Sequence, residues 1–279
     1  MVLPQLDRTA RLLGEAAMER LSRAHVVVLG LGGVGTFAAE ALARSGVGRL
    51  TLVDGERVEA SNANRQLHAL RGAEGANKAE AMAERLRLVN PLIRVDAIPE
   101  FFGEGNEEHL FTQGVSAVVD AMDTVVAKLR AISCCRERGL FLVTALGAAR
   151  RLDPTAIQVT DLCETHTDQL AKDVRKYLRR RHGIAATSPT GVKAVWSVEE
   201  PRESVGLPGD ELGIPGVVRR GGARHRSPKV FGSAAFVTGA FGLAAAAAVV
   251  ERLTGIAPRT PRILKEAERA RRRKPSRRS

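Results

Sequence analysis

Cysteine and aromatic side chains are scarce in this chain: three cysteines, one tryptophan and one tyrosine in 279 residues. The cysteines, Cys134, Cys135 and Cys163, are odd in number, and two of them are adjacent. An adjacent pair cannot easily supply two ligands to one tetrahedral zinc, and there is no C-x-x-C, so neither a disulfide framework nor a zinc knuckle is indicated. The chain therefore reads as a protein of a reducing compartment, without zinc. The opening "MVLPQLDRTARLLGEAAMERL" has no continuous apolar stretch of the kind a signal peptide needs, so a cytoplasmic location is expected. Long apolar runs are also lacking, with one exception. "VFGSAAFVTGAFGLAAAAAVV", residues 230–250, is uncharged and long enough to cross a bilayer. Its alanines and glycines contribute little insertion energy and favour close packing on protein, so it reads as a buried helix, and no stable membrane insertion is expected.

Acidic residues are the minority charge. Lys and Arg number 43 against 31 Asp and Glu, a formal net charge of +12. A surface that basic draws polyanions from a distance, with nucleic acid the leading partner class and an anionic membrane surface the second. Part of the excess lies in "KEAERARRRKPSRRS" from Lys265, within a basic tail at 255–279 that reads as a solvated, partly disordered arm. Basic residues also crowd 172–181 and 219–229.

The periodicity predicts an amphipathic helix over 8–23, a strand over 25–29, a glycine-rich turn and a helix over about 34–45. "RLTLVD", 49–54, is the next strand and leaves Asp54 at its carboxyl end. A helix at about 76–89 stops before Pro91. "IRVDAIPEF" and "VSAVVDAMD" follow as strands, then a helix in "AKLRAISCCRERG" and a buried strand in "LFLVTAL". Strands alternating with helices, several of them apolar on both faces, predict an α/β, Rossmann-like, mostly parallel sheet flanked by helices. After Gly147 the character changes: "RLDPTAIQVTDL" looks extended, 168–182 is a basic helix, and 183–229 reads as a long flap or crossover loop. Residues 8–254 are thus expected to form one unit, with a nucleotide-binding half over 8–147 and a substrate and dimer half over 148–254.

Gly30, Gly32 and Gly35 fit G-x-G-x-x-G between a strand and a helix, with Asp54 about twenty residues on. Backbone N–H groups and a helix N-terminus would face phosphate, and Asp54 would bond ribose hydroxyls. By itself this turn suits NAD or ATP. A dinucleotide enzyme has no evident need for Asn62, Arg65 and Lys78 just beyond the second strand. For ATP the need is plain, because attack at a phosphorus leaves growing negative charge that nearby cations stabilise. Asp123, in "VVDAMDT", stands where a Mg²⁺ ligand should be.

"RLLGEAAMERLSRAHVVVLGLGGVG", Asp54, "SNANRQLHAL", Lys78 and "DAMDT" together resemble the ubiquitin-activating-enzyme-like superfamily, whose members adenylate a carboxylate with ATP and Mg²⁺. "LDPTAIQVTDL", "FGSAAFVTGAFG" and "NRQLHALRG" are similar to its tRNA threonylcarbamoyladenosine dehydratase branch, over roughly residues 8–254. The resemblance implies that Gly30, Gly32, Gly33 and Gly35 form the phosphate turn and that Asp54 binds ribose. Asn62, Arg65 and Lys78 would contact the phosphates, with Gln66 beside them, and Asp123 would hold Mg²⁺. Arg11 matches an arginine that relatives offer to the partner's ATP, which implies a homodimer. Arg65, Lys78, Asp123 and Arg11 are the residues expected to carry the chemistry. The resemblance also admits a monovalent cation, Na⁺ or K⁺, and cysteine-desulfurase or sulfur-acceptor partners. The implied substrate is tRNA, whose modified adenosine would be activated at its carboxylate and closed into a five-membered ring by its own carbamoyl group, with no enzyme cysteine. His68 is the nearest candidate for a base, and equally a structural residue beside the phosphate turn. Lys172, Arg175, Lys176, Arg179, Arg180 and Arg181, with Arg219, Arg220, Arg224 and Arg226 on the flap, are candidate tRNA contacts. Three readings compete: adenylation of a sulfur carrier's C-terminus, an NAD-dependent oxidoreductase, and a non-catalytic RNA-binding protein on an old nucleotide fold.

Overall fold

The computed structural model describes residues 4–185, 187–203, 205 and 231–258. The flap arginines 219, 220, 224 and 226 and the tail beyond residue 258 lie outside them.

The predicted first helix is two helices, α1 (Asp7–Leu13) and α2 (Glu15–Arg23). Gly14 between them has φ 81° and ψ 159°, a conformation that glycine adopts freely and that stops α1 after two turns. β1 (His25–Leu29) then runs through the interior with every residue buried. Its alternation sorts the layers, since Val26 and Val28 join one core cluster while Val27 and Leu29 join the other. α3 (Gly35–Arg44), β2 (Arg49–Val53), α4 (Lys78–Val89) and β3 (Arg94–Ile98) follow in the expected places. α4 is capped by Asn77, whose Oδ1 accepts the Ala79 N–H at 2.8 Å.

Beyond a short α5 (Glu107–Leu110) come β4 (Ala117–Asp120), α6 (Val125–Glu137), β5 (Phe141–Ala145) and β6 (Ile157–Asp161). α7 (Gln169–His182) is capped by Asp168 and ends at Gly183 in the left-handed region, with φ 64°. The stretch read as one loop from residue 183 contains β7 (Lys193–Ser197), a correction with a clear cause. "KAVWS" is too short to announce itself among Gly, Pro and Ser, and it becomes a strand because it slots between β5 and β6. α8 (Ala235–Thr254) closes the described chain.

The sheet order is β3-β2-β1-β4-β5-β7-β6, parallel except for the antiparallel β6–β7 pair. Strand order reverses between β1 and β4, and in such sheets ligands sit outside the carboxyl ends of the strands at that switch point. α2, α3, α4 and α8 cover one face, and α6 and α7 the other. α8 is the one described helix long and apolar enough to cross a membrane. Here Val237, Phe241, Ala245 and Val249 form a fully buried stripe against the sheet and α3. Glycine makes that fit possible: a Cβ at Gly242 would lie 2.4 Å from the Val34 carbonyl oxygen. The Arg20 guanidinium donates to the Thr254 carbonyl at 2.8 Å, which pins the far end of α8 to α2.

His25, at the start of β1, is buried with its Nε2 2.8 Å from the Thr51 hydroxyl. Burial, assisted by Arg49 and Arg94, lowers its pKa from 6.5 to about 4. A group whose pKa is lower in the folded chain stabilises fully above its unfolded pKa and less as pH falls towards the folded one. Unfolding free energy should therefore drop between pH 7.5 and pH 5 by on the order of 1–2 kcal/mol for this residue. Urea titrations should show a smaller drop for His25→Gln; an equal drop in both proteins would refute the assignment.

Candidate functional site

The turn after β1 is built on two close approaches. Gly30 has φ 85°, and a Cβ there would lie 2.9 Å from the Ala121 carbonyl oxygen, in the loop that follows β4. A Cβ at Gly35 would lie 1.8 Å from the Gly30 carbonyl oxygen, so α3 can begin against the turn only with glycine at that place. Gly33 packs under the Arg65 side chain and the Thr238 hydroxyl of α8, each about 3 Å from where its Cβ would be. Gly32 faces open space, with no atom within 4 Å of a Cβ.

Asp54, at the end of β2, ties itself to that turn: its Oδ2 accepts the Leu31 N–H at 2.6 Å and its Oδ1 the Glu56 N–H at 2.8 Å. Burial pushes the Asp54 carboxyl up, while those two amides and the Lys78 charge pull it back. Lys78, the first residue of α4, is buried with its ammonium on the Glu56 carboxylate. Glu56 itself is more than half exposed at its side chain. The sequence reading missed it, although its position two residues after Asp54 was a usable signal.

The segment after β2 brings Asn62, Arg65, Gln66 and His68 together beside the turn. Asn62 is buried, and its Oδ1 accepts the Glu59 N–H at 3.1 Å, so part of its work is to cap its own 3₁₀ turn. The Arg65 guanidinium rests on the Ser61 carbonyl at 3.1 Å and the Asn64 side chain at 2.8 Å. His68 is 2% exposed and its Nε2 lies 3.0 Å from the Leu31 carbonyl. A carbonyl only accepts, so Nε2 carries the proton and Nδ1 is a bare acceptor. Burial lowers the His68 pKa to about 4, and Lys78 and Arg85 add to that. The ring is thus neutral and supports the turn from beneath. Among the described residues, His68 Nδ1 and Gln66 Oε1 are the buried side-chain atoms with no hydrogen-bond partner.

β4 delivers Asp120 and, past it, Asp123. Asp120 is completely buried and paired with Lys128 of α6 at 3.1 Å. Lys128 also donates to the Thr144 hydroxyl at 3.2 Å and the Ala145 carbonyl at 2.7 Å. Asp120 Oδ1 accepts the Met122 N–H at 3.1 Å, and so shapes the loop that carries Asp123. Asp123 is exposed and has no hydrogen bond or ion pair among the described residues. Lone carboxylates of this kind suit Mg²⁺, which takes one or two protein carboxylates and completes its shell with phosphate and water. Arg11 stands apart: it is exposed on α1 and its Nε pairs with Asp7 at 2.8 Å.

At the carboxyl end of β5, Arg151 forms a buried pair with Asp168 at 3.2 Å, and its guanidinium also holds the carbonyls of Gly147 and Ser197. Neither residue stood out in sequence. On α7, Lys172, Lys176, Arg179, Arg180 and Arg181 are exposed, whereas Arg175 is committed to the Thr165 carbonyl at 2.7 Å. Burial raises the thiol pKa of Cys134 and carries Cys135 to about 12, and Asp161 raises that of Cys163. None is primed as a thiolate nucleophile. Cys163 is half-exposed rather than buried, because it sits in the turn beyond the edge strand.

A glycine turn at the switch point, ringed by a lysine, an arginine and a carboxylate at the end of the next strand, defines a nucleotide-binding protein of the doubly wound α/β class. The chain belongs to the ThiF family, whose sequence model matches residues 6–276. It is similar to the tRNA threonylcarbamoyladenosine dehydratase of Escherichia coli (strain K12), 40% identical over 255 residues that make up 90% of this chain and 94% of that protein. It is 43% identical over 200 residues to the protein of the same name from Bacillus subtilis (strain 168), covering 72% of this chain and 77% of that one. Among solved structures, the E. coli tRNA N6-threonylcarbamoyladenosine dehydratase in complex with ATP superposes with a TM-score of 0.77 at 38% identity, covering 95% of this chain and 96% of that one.

The glycines separate folding from binding. Gly35→Ala should lower the melting temperature sharply or abolish soluble expression, because the methyl group meets a carbonyl. Gly32→Ala should melt within a degree or two of the parent, by about 0.5 kcal/mol at most. Its affinity for ATP, measured by calorimetry, should nevertheless fall, since the added methyl group stands in the open mouth of the turn. Unchanged ATP affinity in Gly32→Ala would remove this turn from the nucleotide site.

Proposed function

We propose that the protein uses ATP to dehydrate threonylcarbamoyladenosine in tRNA, closing its side chain into a ring. The reading is carried by the grouping of Lys78, Arg65 and Asp123 around the Gly30–Gly35 turn, in a chain similar over nearly its whole length to dehydratases of that name. A carboxylate cannot expel hydroxide at neutral pH, so one carboxylate oxygen must first attack a phosphorus of ATP, forming an O–P bond as the bond to departing pyrophosphate or ADP breaks. An oxygen or nitrogen of the carbamoyl group then attacks the activated carbonyl carbon. The former carboxylate oxygen departs on phosphorus, as AMP or phosphate, the attacking carbamoyl group gives up a proton, and the nucleoside has lost one water. Attack within one molecule has a high effective molarity, so the protein's work is activation, positioning and exclusion of water.

In this reading the N–H groups of the turn and the N-terminus of α3 receive the phosphates, and Asp54 accepts from the ribose hydroxyls while it braces Leu31. Arg65, Lys78, Asn62 and Gln66 hold the phosphates. Glu56 pairs with the buried Lys78 ammonium until they bind. Asp123 would hold Mg²⁺, which when bound would neutralise phosphate charge. Arg11 reaches the nucleotide of a second copy, so the active assembly is a homodimer. Its exposed position on α1 supports that role, since it serves no contact beyond Asp7 among the described residues. The exposed cations of α7 bind the tRNA backbone. The helix starts near Gly147 and carries Arg179 to Arg181 roughly 17 Å further along its axis, a reach suited to a folded RNA. ATP, tRNA and unactivated thiols all fit a cytoplasmic enzyme.

The deciding experiment is nucleoside mass spectrometry of tRNA bearing threonylcarbamoyladenosine after incubation with the protein, under conditions mild enough to preserve a cyclic product. Loss of one water is expected only with ATP and Mg²⁺ present. Lys78→Ala, Arg65→Ala and Asp123→Ala should each reduce kcat on the order of 10²-fold. A product formed equally well without ATP would end the proposal.

Arg11 has its own test. Arg11→Ala and Asp123→Ala homodimers should each be inactive, and a mixture exchanged into heterodimers should regain activity. One of the two sites then has Asp123 from one copy and Arg11 from the other. No recovery in demonstrated heterodimers would confine Arg11 to its own chain.

A further inference from the structure

Aromatic residues make up 4% of the chain, and of its exposed phenylalanines, Phe101, Phe231 and Phe236, Phe231 is the one with a guanidinium over its ring. Phe231 is 49% exposed, in the segment that leads into α8. The Arg150 guanidinium lies over its ring, 4.6 Å from the centroid. Arg150 itself has φ 63°, a left-handed conformation that costs an arginine free energy and would cost glycine almost none. Its guanidinium makes no hydrogen bond or ion pair among the described residues, in contrast to Arg151 next to it, which is buried on Asp168. Structural need therefore accounts for Arg151 and leaves the Arg150 side chain unexplained.

The pair stands on the rim of the nucleotide site. The Arg150 N–H donates to the Gly232 carbonyl at 2.8 Å, and the next carbonyl, of Ser233, accepts from the Asn64 side chain at 3.0 Å. Three consecutive residues, 231 to 233, thus bridge the loop after β5 to the segment that carries Asn62, Arg65 and Gln66. From below, Arg151 clamps that loop to α7 and to the end of β7.

A guanidinium layered on a phenyl ring presents flat, polarisable, cationic surface at a fixed place. Unstacked bases of single-stranded RNA are recognised by such surfaces, on aromatic rings and on arginine planes. We propose that Arg150 and Phe231 form a stacking platform for a nucleobase of the tRNA loop that carries the modified adenosine; this rests on the tRNA dehydratase reading above. The platform contributes affinity for the loop and takes no part in the bond changes or in placing the reacting carboxylate.

The test uses the full-length protein and four measurements: tRNA affinity by fluorescence anisotropy, KM for tRNA, kcat at saturating tRNA, and ATP affinity. Phe231→Ala should weaken tRNA binding and raise KM for tRNA between about fivefold and a hundredfold, the range for loss of one stacked base. ATP affinity and kcat should stay at the parent value. Arg150→Gly, which relieves the left-handed backbone, should melt no lower than the parent and still lose tRNA affinity, so misfolding cannot explain the loss. Arg150→Lys keeps the charge without the planar face and should resemble Arg150→Gly. Parent-like binding by Phe231→Ala overturns the platform. Parent-like binding by Arg150→Lys alongside a weak Arg150→Gly also overturns it, in favour of a simple phosphate contact. A parent protein that binds tRNA but removes no water would sink the dehydratase reading, and the anisotropy arm would still decide the platform.

Discussion

A lysine and an aspartate buried to the last atom sit in the middle of this sheet. Removing either from Lys128–Asp120 would strand a charge in the interior, at a cost of about 3–5 kcal/mol for a pair of this kind. The pair joins β4 to α6 and, through the Thr144 hydroxyl and the Ala145 carbonyl, to β5. It also fixes the loop that packs against Gly30 and presents Asp123. The position of the exposed carboxylate is therefore decided by a buried one three residues earlier. This arrangement gives a solvent-facing carboxylate the precision of a core residue.

The same division runs round the rest of the site. Asp54 carries out a structural task, bracing the Leu31 amide, with the oxygens that would meet a sugar. Asn62 caps its own turn. His68 is kept neutral by burial and supports the turn through one nitrogen, so the charge beside the turn comes from Asp54, Lys78, Glu56, Arg65 and Asp123. A binding surface made of groups already engaged with the scaffold needs little rearrangement when a ligand arrives.

Much of this was legible in the chain's own letters, for physical reasons. β1, β4 and β5 are largely apolar on both faces because both faces are covered, and glycine at 30 and 35 follows from two carbonyl contacts, while Gly32 faces open space. β7 was not legible: five residues become a strand only because a slot exists between β5 and β6. Gly14 was overlooked as a helix stop because the hydrophobic period continues across it. Lys128, Glu56 and Arg151 escaped notice because a charged residue in a helix or loop looks the same in sequence whether it faces water or an ion partner. The apolar stretch ending near residue 250 was ambiguous in composition, and the contact of Gly239 and Gly242 with α3 is what a bilayer would not require.

α8 stands far down the chain from the turn that it completes. Its Thr238 lies against Gly33, its middle seals α3, and its end is tied to Arg20 by a hydrogen bond spanning 234 residues. During synthesis the glycine turn, Asp54 and Lys78 leave the ribosome long before α8 exists, and for that interval one wall of the pocket is missing and an apolar face of α3 is uncovered. The turn is therefore complete only once the last described helix has been made and has docked on α3.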